Sequence, residues 1–188
     1  MKKILLTGFR PFKKEEINPS EIIAKNIHGG NIGGKKVISQ VLPTTEECGK
    51  IMEREIESID PGYILSLGLA AGRNQIMPER VAVNVTPEKE DEKIFENGAD
   101  AYFSLLPLNT IIKELHKNKI PARISNSAGT YFCNYIMYYT LHHVRNRGSV
   151  KAGFIHIPYV PEQVLDRDKP SMSLKMIERA IEIVIRSL

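Results

Sequence analysis

The chain has 188 residues, two cysteines and a formal net charge of +4, with 42% hydrophobic and 26% charged residues. That length can bury a sizeable core without cross-links, and two distant cysteines form neither a disulfide framework nor a zinc-ligand pair, so a reducing, cytoplasmic setting is expected. Basic residues interleave with acidic ones in "KKEE", "EREIE" and "PEKEDEK", which reads as a solvated surface rather than a nucleic-acid stripe, and no window approaches a membrane span.

In chain order, "KILLTG" (3–8) is a short apolar run ended by Gly, as a buried strand would be. Its apolar part is too short for a signal-peptide core, and no small-residue cleavage site follows. "NPSEIIAKNIHGG" (18–30) starts a helix. Asn18 can cap it, Pro19 suits the first helical position, and Glu21 has capping-box spacing. Segment 36–42 is a second strand. Segment 44–62 is a helix with Ile51, Met52, Ile56 and Ile59 on one stripe, stopped by Asp60, Pro61 and Gly62. Strands are expected at 63–70 and, from its alternation, at 80–85. The polar, aperiodic stretch 86–100 is a loop. A helix at 108–119, a strand at 121–127, a helix at 130–147, a strand at 152–159 and a helix at 171–188 complete the pattern. The alternation predicts one three-layer α/β/α domain over residues 1–188, with a twisted, mostly parallel (mixed) open sheet. In such sheets ligands bind off the carboxyl ends of the strands.

Three residues near those ends carry candidate chemistry. Cys133, Met137, Leu141 and Val144 are spaced as one helical stripe, so Cys133 can be plain packing. Alternatively, with Ser127 or Thr130 as cap, Cys133 falls in the first turns of its helix, where free N–H groups and the dipole favour a thiolate. The small "NSAG" before it would let a substrate approach the backbone. His28, His116, His142 and His143 read as surface residues. His156 lies inside the apolar "GFIHIPY" and needs a partner there, either as a satisfied core histidine or as a general base. Glu79 follows the Gly-rich "GLAAGR" and, alone, reads as a surface carboxylate. Gly68 and Gly72 form no P-loop, and "TGFRPF" has no GxGxxG, so nucleotide phosphate binding is unsupported.

Four blocks, "LLTGFRPF…INPS", "GLAAGR…ERVAVN", "SNSAGTYFCNYIMY" and "GFIHIPYVPEQ", resemble the signatures of the pyrrolidone carboxyl peptidase (pyroglutamyl peptidase I) family, in family order along the whole chain. The resemblance implies a cytosolic cysteine peptidase that removes N-terminal pyroglutamate from peptides, without metal or cofactor, and often as a dimer or tetramer. It implies Glu79, Cys133 and His156 as a catalytic triad, with Phe9 and Phe12 lining the pyroglutamyl pocket. The chain departs from the family at Lys13 and Lys14, where a glycine pair is usual, and at Leu69, where many members carry Gln. It also departs after Asn84, where an arginine-bearing stretch is shortened and "KIFENG" aligns with Lys93 and Ile94 in the corresponding places. Two other classes fit the α/β pattern: a nucleoside-binding or phosphorylase-type enzyme that needs no Cys133, and a binding domain whose altered loop has disabled the site.

Overall fold

The computed structural model describes residues 2–12, 15–87, 89 and 92–188. The departure at Lys13 and Lys14 therefore lies outside the described residues, as do Glu88, Glu90 and Asp91 of the shortened stretch. The chain runs β1 (Lys2–Phe9), α1 (Pro19–Asn26), β2 (Asn31–Ile32), β3 (Lys35–Leu42), α2 (Glu47–Ile59), β4 (Tyr63–Leu69) and β5 (Met77–Pro78). It continues through β6 (Val81–Val83), β7 (Ala101–Phe103), α3 (Leu108–Lys117), α4 (Phe132–Val144), β8 (Lys151–Ile157) and α5 (Leu174–Ser187). The main sheet has the order β2-β3-β1-β4-β8-β5 among the described residues, and β6 and β7 form a separate antiparallel ribbon. The β3, β1, β4 and β8 strands are mutually parallel, while β2 and β5 run antiparallel at the two edges.

Alternation along the strands sorts the core into two faces. Ile4, Leu6, Leu65, Leu67, Ile155 and Ile157 pack under α1, α3 and α5. Leu5, Phe9, Ile64, Ala152 and Phe154 face the opposite way, toward α2 and α4. Burial on both faces explains why the parallel strands read as continuous apolar runs. The α4 helix is unusual in being buried nearly all round, from Phe132 to Val144. It lies between the sheet, α2 and the β6–β7 ribbon, so the stripe of Cys133, Met137, Leu141 and Val144 is only part of its buried surface.

Asn18 caps α1 as its residue type predicts, accepting from the Ser20 N–H at 3.1 Å, with Pro19 at the first helical position. Glu21 turns its carboxylate to Lys25 at 2.6 Å, an i,i+4 ion pair. Helices are generally shorter than the patterns suggest, because their flanks are spent in turns: α2 starts at Glu47, and α5 at Leu174 behind a Ser173 cap. One expected strand is corrected. Segment 121–127 is extended but makes only isolated bridges, Ile76 to Ala122 and Glu79 to Ser125. Pro78 and Pro121 lack N–H groups, which prevents a continuous ladder between the two segments.

Candidate active site

The same alternation that builds the core aims the candidate residues. On β8, Ala152, Phe154 and His156 share the face covered by α4, and on β4, Ile64, Ser66 and Gly68 do so. His156 and Gly68 are register partners, each one residue before its strand's carboxyl end, since β4 ends at Leu69 and β8 at Ile157. Glu79 is stapled beside them by backbone bonds. Its N–H donates to the Phe154 carbonyl at 2.9 Å, and the Arg80 N–H donates to the Ser125 carbonyl at 2.8 Å. The Glu79 carboxylate is 1% exposed and lies 2.7 Å from His156 Nδ1 through Oε1. Its other oxygen, Oε2, is buried with no protein donor among the described residues. The surface reading of Glu79 is thus corrected: the chain turns its carboxylate inward between β8 and the 121–127 segment.

With Nδ1 committed to Glu79, the imidazole also interacts with the neighbouring Cys133 thiol. Burial alone would lower the His156 pKa, but the Cys133 sulfur and the Glu79 carboxylate favour the imidazolium and lift it to about 9. Phe154 supports the ring edge-on, at 4.9 Å between centroids. Cys133 is half-buried, whereas Cys48 is fully buried and burial pushes its thiol up to about 12. Of the two thiols, Cys133 is the reachable one.

The expected cap of α4 is corrected. The N-cap is Tyr131, in extended conformation with no side-chain cap bond, and Ser127 Oγ instead accepts from the Gly129 N–H at 3.2 Å. Cys133 is therefore the second helical residue. The Tyr135 N–H donates to Tyr131 O at 3.0 Å, so the N–H groups of Phe132, Cys133 and Asn134 precede the first intrahelical bond. Asn134 does not cap them either: its amide exchanges two bonds of 2.9 Å with the Val83 backbone, fastening α4 to β6.

Phe9 and Phe12 take different places. Phe9 is 2% exposed, in the core below α2 and α4, whereas Phe12 is half-buried with its ring 6.2 Å from that of Tyr131. The "KIFENG" segment packs elsewhere. Lys93 pairs with Asp100 at 3.5 Å, and the Phe95 ring stacks on His142 at 4.1 Å. His142 lies nine residues beyond Cys133, roughly 13 Å along the helix. His142 is also half-buried and bonded to the Tyr102 hydroxyl at 3.0 Å, so it is not the surface residue its position suggests. Among the described residues, side chains that approach one another as metal ligands would are Glu53, Glu57 and His143 on α2 and the end of α4, apart from Cys133.

Gly68 is the site residue that sequence reading misses. A Cβ there would stand 2.8 Å from Cys133 Sγ and 2.6 Å from Phe154 Cζ. Only a bare backbone lets the thiol and the sheet approach this closely. The single hint in the sequence is a glycine late in an otherwise apolar strand.

An α/β/α sheet with a reachable thiol, an imidazole and a buried carboxylate bonded in series at its carboxyl edge is a constellation met in hydrolases with a thiol nucleophile. The pyroglutamyl peptidase family model matches residues 2–188. The pyrrolidone-carboxylate peptidase of Pyrococcus furiosus is 44% identical over 97% of this chain and 96% of its own length. That of Oceanobacillus iheyensis is 44% identical, covering 100% of both chains. Among solved structures, Bacillus amyloliquefaciens pyroglutamyl peptidase I superposes with a TM-score of 0.96 at 37% identity, over 100% of this chain and 96% of that one. The Thermococcus litoralis pyrrolidone carboxyl peptidase gives 0.95 at 41%, over 100% and 93%. This chain belongs to the pyroglutamyl peptidase family of hydrolases.

Two expectations follow from this geometry. Gly68→Ala should destabilise the fold by about 1–3 kcal/mol through overpacking and should slow alkylation of Cys133 by displacing its sulfur. Melts and iodoacetamide rates measure both, and wild-type values in each would refute the close approach. The second concerns pH. Because the His156 pKa is raised from 6.5 to about 9, its contribution to stability is fully present below pH 6.5 and is lost as pH rises through about 9. The stability gap between wild type and Glu79→Gln, read by denaturant unfolding, should therefore shrink between pH 6 and pH 10.

Proposed function

We propose that residues 1–188 form one pyroglutamyl-peptidase unit that removes N-terminal pyroglutamate from peptides through a Cys133 thiolate and an acyl-enzyme. The observation that carries this reading is the series Cys133, His156, Glu79, with the thiol at the uncapped start of α4. The Cys133 thiolate attacks the pyroglutamyl carbonyl carbon. Glu79 holds the imidazole through Nδ1 and stabilises its positive charge. N–H groups from the first turn of α4 face the developing oxyanion. His156 then protonates the departing amine, the C–N bond breaks, and water hydrolyses the thioester with the imidazole as base.

The lactam is small, flat and uncharged. An apolar slot with the half-buried Phe12 ring, beside Tyr131, as one wall would suit such a ring better than an open, charged glutamate. The chemistry needs no metal or cofactor. The reading includes a cytoplasmic homo-oligomer, dimer or tetramer, that acts on peptides, not on nucleic acid or membrane. No helix among the described residues is long and apolar enough to cross a membrane.

The direct test is release of a fluorophore from a pyroglutamyl amide, with and without iodoacetamide. Turnover should be lost as Cys133, and not Cys48, is alkylated. Cys133→Ser should abolish activity at little cost in stability, and His156→Ala should be comparably damaging. The two losses should be strongly non-additive, because the residues act as one unit. A double mutant in which they multiply would contradict that coupling. For the slot, Phe12→Ala should lower kcat/KM by at least about tenfold, roughly 1.4 kcal/mol. A low melting temperature with normal turnover in the cold would instead make Phe12 a packing residue.

A further inference from the structure

We propose that Glu15 is a positioning residue for the substrate slot, a latch that fastens the loop carrying Phe12 to the segment that follows His156. The inference rests on the reading of Phe12 as a wall of the slot. Between Phe9 and Pro19 the chain has no helix or strand among its described residues, so its position depends on fasteners. At its base, Asn18 Nδ2 donates to the Arg10 carbonyl at 3.3 Å. At its far side the carboxylate of Glu15 collects three donors from the stretch after β8. Arg167 Nη1 lies 2.6 Å from Oε1, the Tyr159 hydroxyl donates to Oε1 at 3.2 Å, and Gln163 Nε2 donates to Oε2 at 3.1 Å.

Gln163 ties the two segments a second time. Its Nε2 also donates to the Ile17 carbonyl at 3.2 Å, while its Oε1 accepts from the Val160 N–H at 3.2 Å. This gives a role to the "VPEQ" that ends the fourth sequence block, which the hydrolytic chemistry leaves unused. The Arg167 guanidinium lies 5.9 Å over the Tyr159 ring. The Glu15 side chain is 14% exposed and its partner Arg167 43%, so the cluster lies at the protein's rim, where the donors converging on one carboxylate matter more than any single ion pair. Burial pushes its pKa up, but Arg167, Gln163 and Tyr159 outweigh that and hold it below the usual range.

The latch reaches Phe12 directly. The Glu15 N–H donates to the Phe12 carbonyl at 3.1 Å, and the Phe12 ring stands beside Tyr131, two residues before Cys133. A wall displaced by a fraction of an ångström loses contact with a ligand as small as a lactam ring, while the thiol and imidazole stay in place. Glu15 thus acts on substrate binding and not on the reacting atoms.

The test uses the full chain with Glu15→Gln, Glu15→Asp and Arg167→Gln, the last removing the ion pair from the opposite segment. Hydrolysis of a pyroglutamyl coumarinyl amide, iodoacetamide rates at Cys133 and hydrogen exchange over residues 9–18 are measured together. In Glu15→Gln and Arg167→Gln, KM should rise about tenfold with kcat within about threefold, a loss of binding and not of chemistry. Alkylation of Cys133 should keep its wild-type rate, exchange over 9–18 should quicken, and Glu15→Asp should recover part of the KM. Unchanged KM and exchange in both variants overturns the latch. A fall in kcat with slowed alkylation also overturns it, because Glu15 would then act through the thiol and imidazole. A wild-type protein inert toward the amide refutes the peptidase reading instead, and exchange over 9–18 then decides the latch alone, unchanged exchange overturning it.

Discussion

The structure depends most on one buried contact, the 2.7 Å approach of the Glu79 carboxylate to His156 Nδ1. A carboxylate that is 1% exposed, with one oxygen lacking any protein donor among the described residues, has lost most of its hydration. Such a loss costs several kcal/mol per ion unless a partner charge offsets it. The imidazolium is that partner, and its raised pKa is the same balance seen from the other side. Neither group is comfortable alone, so the fold has to deliver both to one point. It does so with backbone bonds: the Glu79 N–H to Phe154, β5 paired antiparallel with β8, and Ser125 closing from the other side. A slip of one residue in the β5 register would turn the carboxylate out of the core and leave the imidazole unpaired.

The thiol reaches this pair from a different layer. The α4 helix is held down by Asn134 on the Val83 backbone and by Tyr138, whose hydroxyl donates to Ala99 O at 2.6 Å. Its start therefore cannot ride up from the sheet, and Gly68 leaves the space into which Cys133 descends. An unusually buried helix, a missing side-chain cap and a bare backbone position in β4 are thus parts of one arrangement. Under the proposed mechanism each has a reason: burial fixes the thiol, the missing cap leaves N–H groups for the substrate, and the glycine brings the sulfur to the imidazole.

The sequence makes the layers legible because the parallel strands are short apolar runs separated by helical periods, and because Asn18 and Pro19 are strong local signals. The site is legible only in part. His156 stands out as a polar residue in an apolar strand, but its partner does not: Glu79 sits in a polar stretch, and only the pairing of its segment with Ser125 and β8 takes it inside. Ser127 and Thr130 look like caps by type, yet loop geometry spends Ser127 on Gly129. His142 looks exposed beside His143 until Phe95, from a stretch with no period, folds over it. Gly68 and Glu15 carry almost no local signature, since each matters through residues that are distant in sequence. The family resemblance ties Glu79, Cys133 and His156 together before any geometry is known. It does not say how the chain accomplishes this.

The stretch after Asn84 is where the resemblance implies that the chain departs from its relatives. Aligned to the O. iheyensis protein, 198 positions cover 188 residues here, so about ten positions along the chain face gaps. What remains of the stretch is tightly used. Asn84 bonds both the carbonyl and the N–H of Phe95, at 2.8 and 3.1 Å, and Phe95 covers His142. Lys93 is occupied by Asp100. These contacts anchor the segment to the C-terminal half of α4 and to the β6–β7 ribbon, about two turns beyond the thiol. A cation held there is poorly placed to meet charge developing at Cys133. Under the proposed mechanism, oxyanion stabilisation then falls to the N–H groups of the first turn of α4, which are fixed in direction and need no reorganisation as the charge forms.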